Sequence, residues 1–126
     1  MHRTPDLPRP NSNVSVLYAG QNLYSNQHLS SPNGKFAAEM GTDGNFVLYS
    51  PNTFLWATWT QGHAGAYFSM QTDGNMVVYS QTGTPLWVSW TNGPGRTACY
   101  VVMQDDGNLV EYCPGLGAVW QSGTPH

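Results

Sequence analysis

One phrase of polar and apolar residues is written three times in this chain, and that repetition limits the possible fold more than any other feature. The copies are "MGTDGNFVLYS" (residues 40–50), "MQTDGNMVVYS" (70–80) and "MQDDGNLVEYC" (103–113). They align on Asp43-Gly44-Asn45, Asp73-Gly74-Asn75 and Asp106-Gly107-Asn108, at intervals of 30 and 33 residues. Each copy continues with an apolar residue, Val, any residue and Tyr. After a variable loop comes an aliphatic residue and Trp: Leu55-Trp56, Leu86-Trp87 and Val119-Trp120. Self-similarity at about thirty residues means that one supersecondary unit, unable to bury its apolar face alone, is repeated around a shared interior.

The unit is a hairpin. Asp-Gly between β-branched and aromatic residues signals a tight turn, since Gly supplies the positive φ that the turn needs. "YFSMQTDGNMVVYS" and "CYVVMQDDGNLVEYC" therefore predict antiparallel strand pairs, and no window predicts a helix, because Gly, Pro or Asn interrupts every ten residues or so. The chain reads as all-β, with three related sheets in pseudo-threefold arrangement. Trp56, Trp87 and Trp120 read as the central filling, in core packing rather than ligand contact. Burying each is worth a few kcal/mol, so that Trp87→Ala threatens folding. Trp59 and Trp90 follow three residues after a core Trp. An odd offset along an extended strand points them to the opposite face, partly exposed. There they serve as outer packing, as a dimer contact, or as an aromatic wall beside a binding groove.

Composition excludes several functions. Of 126 residues only 9% are charged, against roughly 25% in ordinary soluble domains, while 14 are Gly, 9 are Pro and 13% are aromatic. That describes one turn-rich domain over residues 14–126. The start, "MHRTPDLPRPNSN", reads as a flexible tail over residues 1–13 without the apolar centre of a secretory signal. The net charge is −3, and the bases Arg3, Arg9, Lys35 and Arg96 are scattered. Nucleic-acid binding is therefore not expected, nor is membrane insertion, since no apolar run is long enough. Folding the third hairpin at Asp106-Gly107 brings Cys99 opposite Cys113, which predicts a cross-strand disulfide. Closing a loop of about fifteen residues contributes roughly 3 kcal/mol in the chain-entropy model. A disulfide also favours an oxidising compartment, hence a secreted or extracellular location. Asn13-Val14-Ser15 is a glycosylation acceptor by pattern.

No metal or cofactor is expected. His2, His28, His63 and His126 follow no ligand spacing, and "DDGN" lacks the spacing and terminal Glu of a calcium loop. Catalytic residues are not expected either. No nucleophile triad or phosphate loop is present, and the carboxylates recur as copies of one site rather than as the dissimilar facing pair that glycoside hydrolysis needs.

The repeated phrase has a longer pattern inside it. Gln71, Asp73, Asn75, Val77 and Tyr79 in the second copy, and Gln104, Asp106, Asn108, Val110 and Tyr112 in the third, are spaced Q-x-D-x-N-x-V-x-Y. This resembles the sugar-binding motif of the monocot mannose-binding lectins, the bulb-type family of the snowdrop kind, over residues 14–124, including "LYAGQNLYSNQHL". The resemblance implies a β-prism II of three four-stranded antiparallel sheets, mannose as ligand, and homodimers that exchange a C-terminal strand. It further implies that Asp and Asn contact the axial 2-hydroxyl, Gln the 3-hydroxyl and Tyr the 4-hydroxyl.

The residue types suit an uncharged hexose on independent grounds. A carboxylate accepts charge-assisted hydrogen bonds, carboxamides donate and accept, and Val offers an apolar patch to the sugar's C–H face. The first copy departs from the pattern: Gly41 stands in place of Gln, although Asp43, Asn45, Val47 and Tyr49 remain. Losing one amide removes about 0.5–1.5 kcal/mol from a millimolar interaction worth about 4 kcal/mol, so this third, degenerate site is expected to be weak or silent. Two working sites per chain, doubled in a dimer, would raise avidity on clustered mannose. Linkage preference would lie in loops 61–66 and 91–96. The competing reading is that Asp and Asn merely cap their own turn and that the lectin-like fold serves protein contact, as in family members resembling taste-modifying or antibacterial proteins.

Overall fold

Twelve short strands and no helix form among residues 14–126, the part of the chain described by the structure, a computed structural model. The expected tail over residues 1–13 and the Asn13 acceptor lie outside the described residues. Three strands come first: β1 (Val16–Tyr18), β2 (Asn22–Leu23) and β3 (His28–Ser30). Then each repeat makes three more: β4 (Ala37–Met40), β5 (Phe46–Ser50) and β6 (Thr53–Ala57); β7 (Tyr67–Met70), β8 (Met76–Tyr79) and β9 (Pro85–Val88); β10 (Tyr100–Met103), β11 (Leu109–Cys113) and β12 (Gly117–Gln121). The first two strands of each triplet are the expected hairpin, pairing Met40 with Phe46, Met70 with Met76, and Met103 with Leu109 beside the turns.

The early segment supplies the fourth strand of every sheet. The orders are β3-β4-β5-β6, β2-β7-β8-β9 and β1-β10-β11-β12, so residues 16–30 lace the three repeats together. A hairpin alone is marginal in water, and each sheet reaches four strands only through this segment. The expected architecture of three antiparallel four-stranded sheets is what the chain adopts. β12 lies on β11 of its own chain.

Period-2 alternation sends one face of each sheet inward. Leu17, Leu23 and Leu29 from the lacing segment meet Met40, Phe46, Leu48, Phe68, Met70, Met76, Val101, Met103 and Leu109, all fully or almost fully buried. Phe46 stacks on Phe68 with centroids 4.2 Å apart. Trp56, Trp87 and Trp120 do meet at the pseudo-threefold centre, edge to face at 5.4 to 5.8 Å. They are nevertheless only half-buried, packed against an aliphatic, Met and Phe core rather than constituting it. Each lies on the outermost strand of its sheet, with no further strand to cover it.

A β-bulge in each outermost strand aims these rings. The pairing shifts between Leu48 and Tyr49, Val78 and Tyr79, and Glu111 and Tyr112, leaving Leu55, Leu86 or Val119 as the extra residue. Trp56, Trp87 and Trp120 thereby pair with the inward positions Leu48, Val78 and Glu111. Phe54, Pro85 and Ala118 pair with the outward tyrosines Tyr49, Tyr79 and Tyr112. The extra residue reverses the face that the following side chain takes. Cys99 and Cys113 are joined as expected, with a sulfur–sulfur distance of 2.04 Å.

Candidate functional site

Each hairpin turn is built identically, and its geometry decides which motif atoms remain available. Gly44, Gly74 and Gly107 have φ near +90°, where other side chains are strained. The Asp before each Gly folds back, so that Oδ1 of Asp43, Asp73 and Asp106 accepts the backbone N–H of Asn45, Asn75 and Asn108 at 2.9 to 3.0 Å. The Asn carbonyl oxygens hold the chain that returns after the Trp. Asn75 Oδ1 accepts from the Thr91 amide at 3.2 Å, and Asn45 and Asn108 accept from Thr60 and Thr124 at 3.1 and 3.2 Å. The Thr60, Thr91 and Thr124 hydroxyls in turn bond the carbonyls of Gly44, Gly74 and Gly107 at 2.6 to 2.7 Å. Turn capping is therefore real, and it takes one oxygen of each Asp and the oxygen of each Asn. The second carboxylate oxygen and the Asn amide group are what remains for a ligand.

Gln and Tyr close the other end of the motif. The Gln71 amide donates a short hydrogen bond to the Tyr79 hydroxyl, and the Gln104 amide donates one to Tyr112. The register sets Tyr79 opposite Tyr67 and Tyr112 opposite Tyr100, so each Gln, beside the turn, meets its Tyr diagonally along the hairpin through the length of both side chains. With its oxygen accepting from Gln, each phenol keeps its own proton to donate outward, and each Gln keeps its carbonyl to accept. In the second repeat Gln71 thus bonds to Tyr79 and Asp73 to Asn75, and the third repeats both bonds.

The floor is tighter than expected. Val77 and Val110 are only 2% and 4% exposed, so they offer the edges of their methyl groups rather than an open patch. Beside the second rim lies a cavity of about 600 Å³. Asn75, Val77 and Tyr79 line it together with residues 85–88 of the neighbouring strand and Trp90. This is within the roughly 300–1,000 Å³ typical of concave ligand sites.

The three sites are not equivalent. In the third, the Asn108 amide donates to Gln121 Oε1 at 2.7 Å, whereas among the described residues no acceptor faces the corresponding amide of Asn75. In the first, Asp43, Asn45, Val47 and Tyr49 are in place, but Gly41 leaves Tyr49 without its Gln. The phenol instead donates to Glu39 Oε1 at 3.2 Å. Burial and then the neighbouring Glu39 charge raise the Tyr49 pKa. A Cβ at Gly41 would lie 2.7 Å from Asp43 Oδ1, so a Gln there would require the Asp43 carboxylate to shift.

Trp59 and Trp90 are exposed as expected, at 66% and 79%, but for a different reason. β6 and β9 have already ended, and both residues take a left-handed backbone with φ of 58° and 60°. Phe54 tilts against Trp59 at 5.3 Å. Loops 61–66 and 91–96 return to their motifs, His63 and Gly93 donating backbone N–H groups to the Asp43 and Asp73 carbonyls at 3.1 Å. Arg96 donates to the Thr91 carbonyl at 2.8 Å and sits over Gly74.

One residue near the second site gave no sequence signal beyond its own charge. Glu111 replaces the inward Leu48 and Val78 of the other repeats, is fully buried, and its Oε1 lies 2.8 Å from the Thr91 hydroxyl. Burial above all pushes its pKa up to about 7. Asp73 adds to the rise, while the Thr91 bond and Arg96 oppose it. Glu111 lies with Cys99 and Cys113 in a compact group, but the two sulfurs are bonded to each other.

No family model matches the chain. Over 67 residues it is 42% identical to a mannose-specific lectin of Narcissus pseudonarcissus, a match covering 52% of this chain and 60% of that one. A mannose-specific lectin of Galanthus nivalis is 43% identical over 67 residues, covering 52% of this chain and 41% of that one. The chain thus spans about half the length of these curated relatives. Solved structures are matched almost end to end. A monomeric monocot mannose-binding lectin from Gastrodia elata superposes with a TM-score of 0.81 at 36% identity, covering 89% of this chain and 99% of that one. Snowdrop agglutinin complexed with methyl-α-D-mannoside gives 0.74 at 36% identity, covering 89% and 98%. With three sheets, a repeated motif and identity at this level over whole solved chains, the chain belongs to the monocot mannose-binding lectin family.

Proposed function

We propose that the chain is a lectin that holds terminal mannose of glycans in two complete cradles, built from Gln71, Asp73, Asn75, Val77 and Tyr79 and from Gln104, Asp106, Asn108, Val110 and Tyr112. The observation that carries this reading is the bond from Gln to Tyr in the second and third repeats. It joins the two limbs of the hairpin and leaves a carboxylate oxygen, an amide carbonyl and a phenolic proton along one uncharged-ligand-sized rim. Turn grammar alone does not need Gln or Tyr. The proposal adds that Asp and Asn hold the 2-hydroxyl, Gln the 3-hydroxyl and Tyr the 4-hydroxyl, and that the first site is weak or silent.

The chemistry proposed is binding without bond cleavage and without a metal or cofactor, in an extracellular setting where the Cys99–Cys113 disulfide persists. Homodimerisation is part of the proposal, with β12 of each chain laid on β11 of the other. Such exchange would double the cradles and multiply avidity on clustered mannose. The pairing of β12 within its own chain satisfies the same ladder, so mass in solution is the test. Twice the chain mass supports exchange, and the single-chain mass removes it from the proposal.

Retention on immobilised mannose, elution by free mannose and indifference to EDTA are the expected results. Passage straight through the column at millimolar site density would overturn the lectin reading in favour of protein contact.

A further inference from the structure

Trp59 and Trp90 occupy a position that the third repeat fills with Gly123. All three hold the backbone left-handed, at φ of 58°, 60° and 75°. Gly takes that conformation freely, whereas for a bulky aromatic residue it is strained. The turn itself does not need the ring. In the third repeat Thr124 reaches Gly107 at 2.7 Å, just as Thr91 reaches Gly74 at 2.7 Å. Nor does core packing account for two indoles that are 66% and 79% exposed. Strain kept at an exposed position points to a use outside the fold.

The place of Trp90 indicates that use. It is continuous with the second cradle, lining the same cavity as Asn75, Val77 and Tyr79. Pro85, paired with Tyr79 across the strands, lines that cavity too. The polar rim reaches one hexose. A ring attached to that hexose would leave the rim and meet an indole face and a proline, surfaces that match the C–H face of a pyranose and have no charge to offer an ion. Phe54 and Trp59 provide the corresponding lip in the first repeat, whereas Ala118 and Gly123 provide none in the third.

Resting on the lectin reading, the geometry points to an oligosaccharide subsite: Trp90 is a stacking platform for the sugar ring next to the mannose held by the second cradle. Trp59 is the same device beside the incomplete first cradle. The repeats are then graded. The second has cradle and platform, the third has a cradle only, and the first has a platform with a defective cradle. Recognition of a chain of sugars is concentrated in the second repeat.

The test is Trp90→Gly, the substitution that the third repeat already contains, so folding is expected to hold or improve. Methyl mannoside and a mannose disaccharide are titrated into both chains while the Asn75 and Asn108 resonances are followed. In the wild type the disaccharide should bind at Asn75 roughly five- to tenfold more tightly than the monosaccharide, the scale of one stacked aromatic contact. Trp90→Gly should abolish that advantage and leave binding at Asn108 unchanged. In the wild type, independently of any variant, an indole N–H resonance should move with disaccharide and stay still with monosaccharide. An unchanged disaccharide advantage in Trp90→Gly overturns the proposal. So does a fall in oligomeric mass without change in sugar affinity, which would make the ring a contact between copies. Methyl mannoside moving neither Asn75 nor Asn108 would overturn the lectin reading beneath it, a distinct result.

Discussion

Neutralising Glu111 tests how the third repeat supports the second. Its Oε1 lies 2.8 Å from the Thr91 hydroxyl, which also lies 2.7 Å from the Gly74 carbonyl, a group that can only accept. One hydroxyl proton cannot serve both. A protonated Glu111 donates to Thr91 and leaves the Thr91 proton to Gly74; an ionised Glu111 competes for that proton and loosens the turn bearing Asp73 and Asn75. Burial raises the pKa from 4.5 to about 7. Between those values the folded chain keeps a proton that the unfolded chain releases. This contribution is therefore fully present below about pH 4.5, is lost as pH rises to about 7, and is constant above. At about 1.4 kcal/mol per unit the whole swing is roughly 3 kcal/mol. Glu111→Gln keeps a hydrogen-bonding amide and removes the titration. Urea unfolding of both chains from pH 4.5 to 8, with the disulfide intact, should show wild-type stability falling relative to the variant by about that amount. Stability curves that stay parallel across this range would refute the single-proton argument.

Other substitutions address the inequality of the sites. Gln121→Val, copying Val88 of the second repeat, frees the Asn108 amide and should tighten the third cradle about three- to tenfold in a mannoside titration. Gly41→Gln alone should leave the first site silent, because Tyr49 remains bonded to Glu39. Adding Glu39→Ser, the residue at the matching position 69, should raise the calorimetric stoichiometry from two to three sites per chain. Gly44→Ala places a Cβ 2.3 Å from the His63 carbonyl, whereas Gly62→Ala has equally positive φ and open space. Thermal unfolding should show the first costing clearly more than the second, for which about 1–2 kcal/mol of backbone strain is expected.

What could be read from the residues was whatever a hairpin register determines. Once Asp106-Gly107 is a turn, Cys99 must lie near Cys113, and that pair forms. What could not be read depends on contacts between repeats. β1, β2 and β3 are two or three residues long and lack the repeated phrase, so nothing local says that each serves a different sheet. The Asn75 clamp on Thr91 spans sixteen residues and depends on the path of a loop. Glu111 in "LVEY" looks like a solvated charge, and only the packing of the second repeat over β11 buries it. A strand offset alone puts Trp59 and Trp90 outward, although a left-handed backbone beyond the strand is what turns them. The tryptophan centre was legible as a meeting point but not as half-open, since coverage depends on which strand is outermost.

The proposed pair of complete cradles for an uncharged hexose, beside one broken cradle, is tested most directly by titrating methyl mannoside into labelled protein and following three residues. Asn75 and Asn108 resonances should move and saturate in the millimolar range, while Asn45, beside Gly41, stays in place. Silence at both Asn75 and Asn108, or Asn45 shifting in step with them, would contradict that claim.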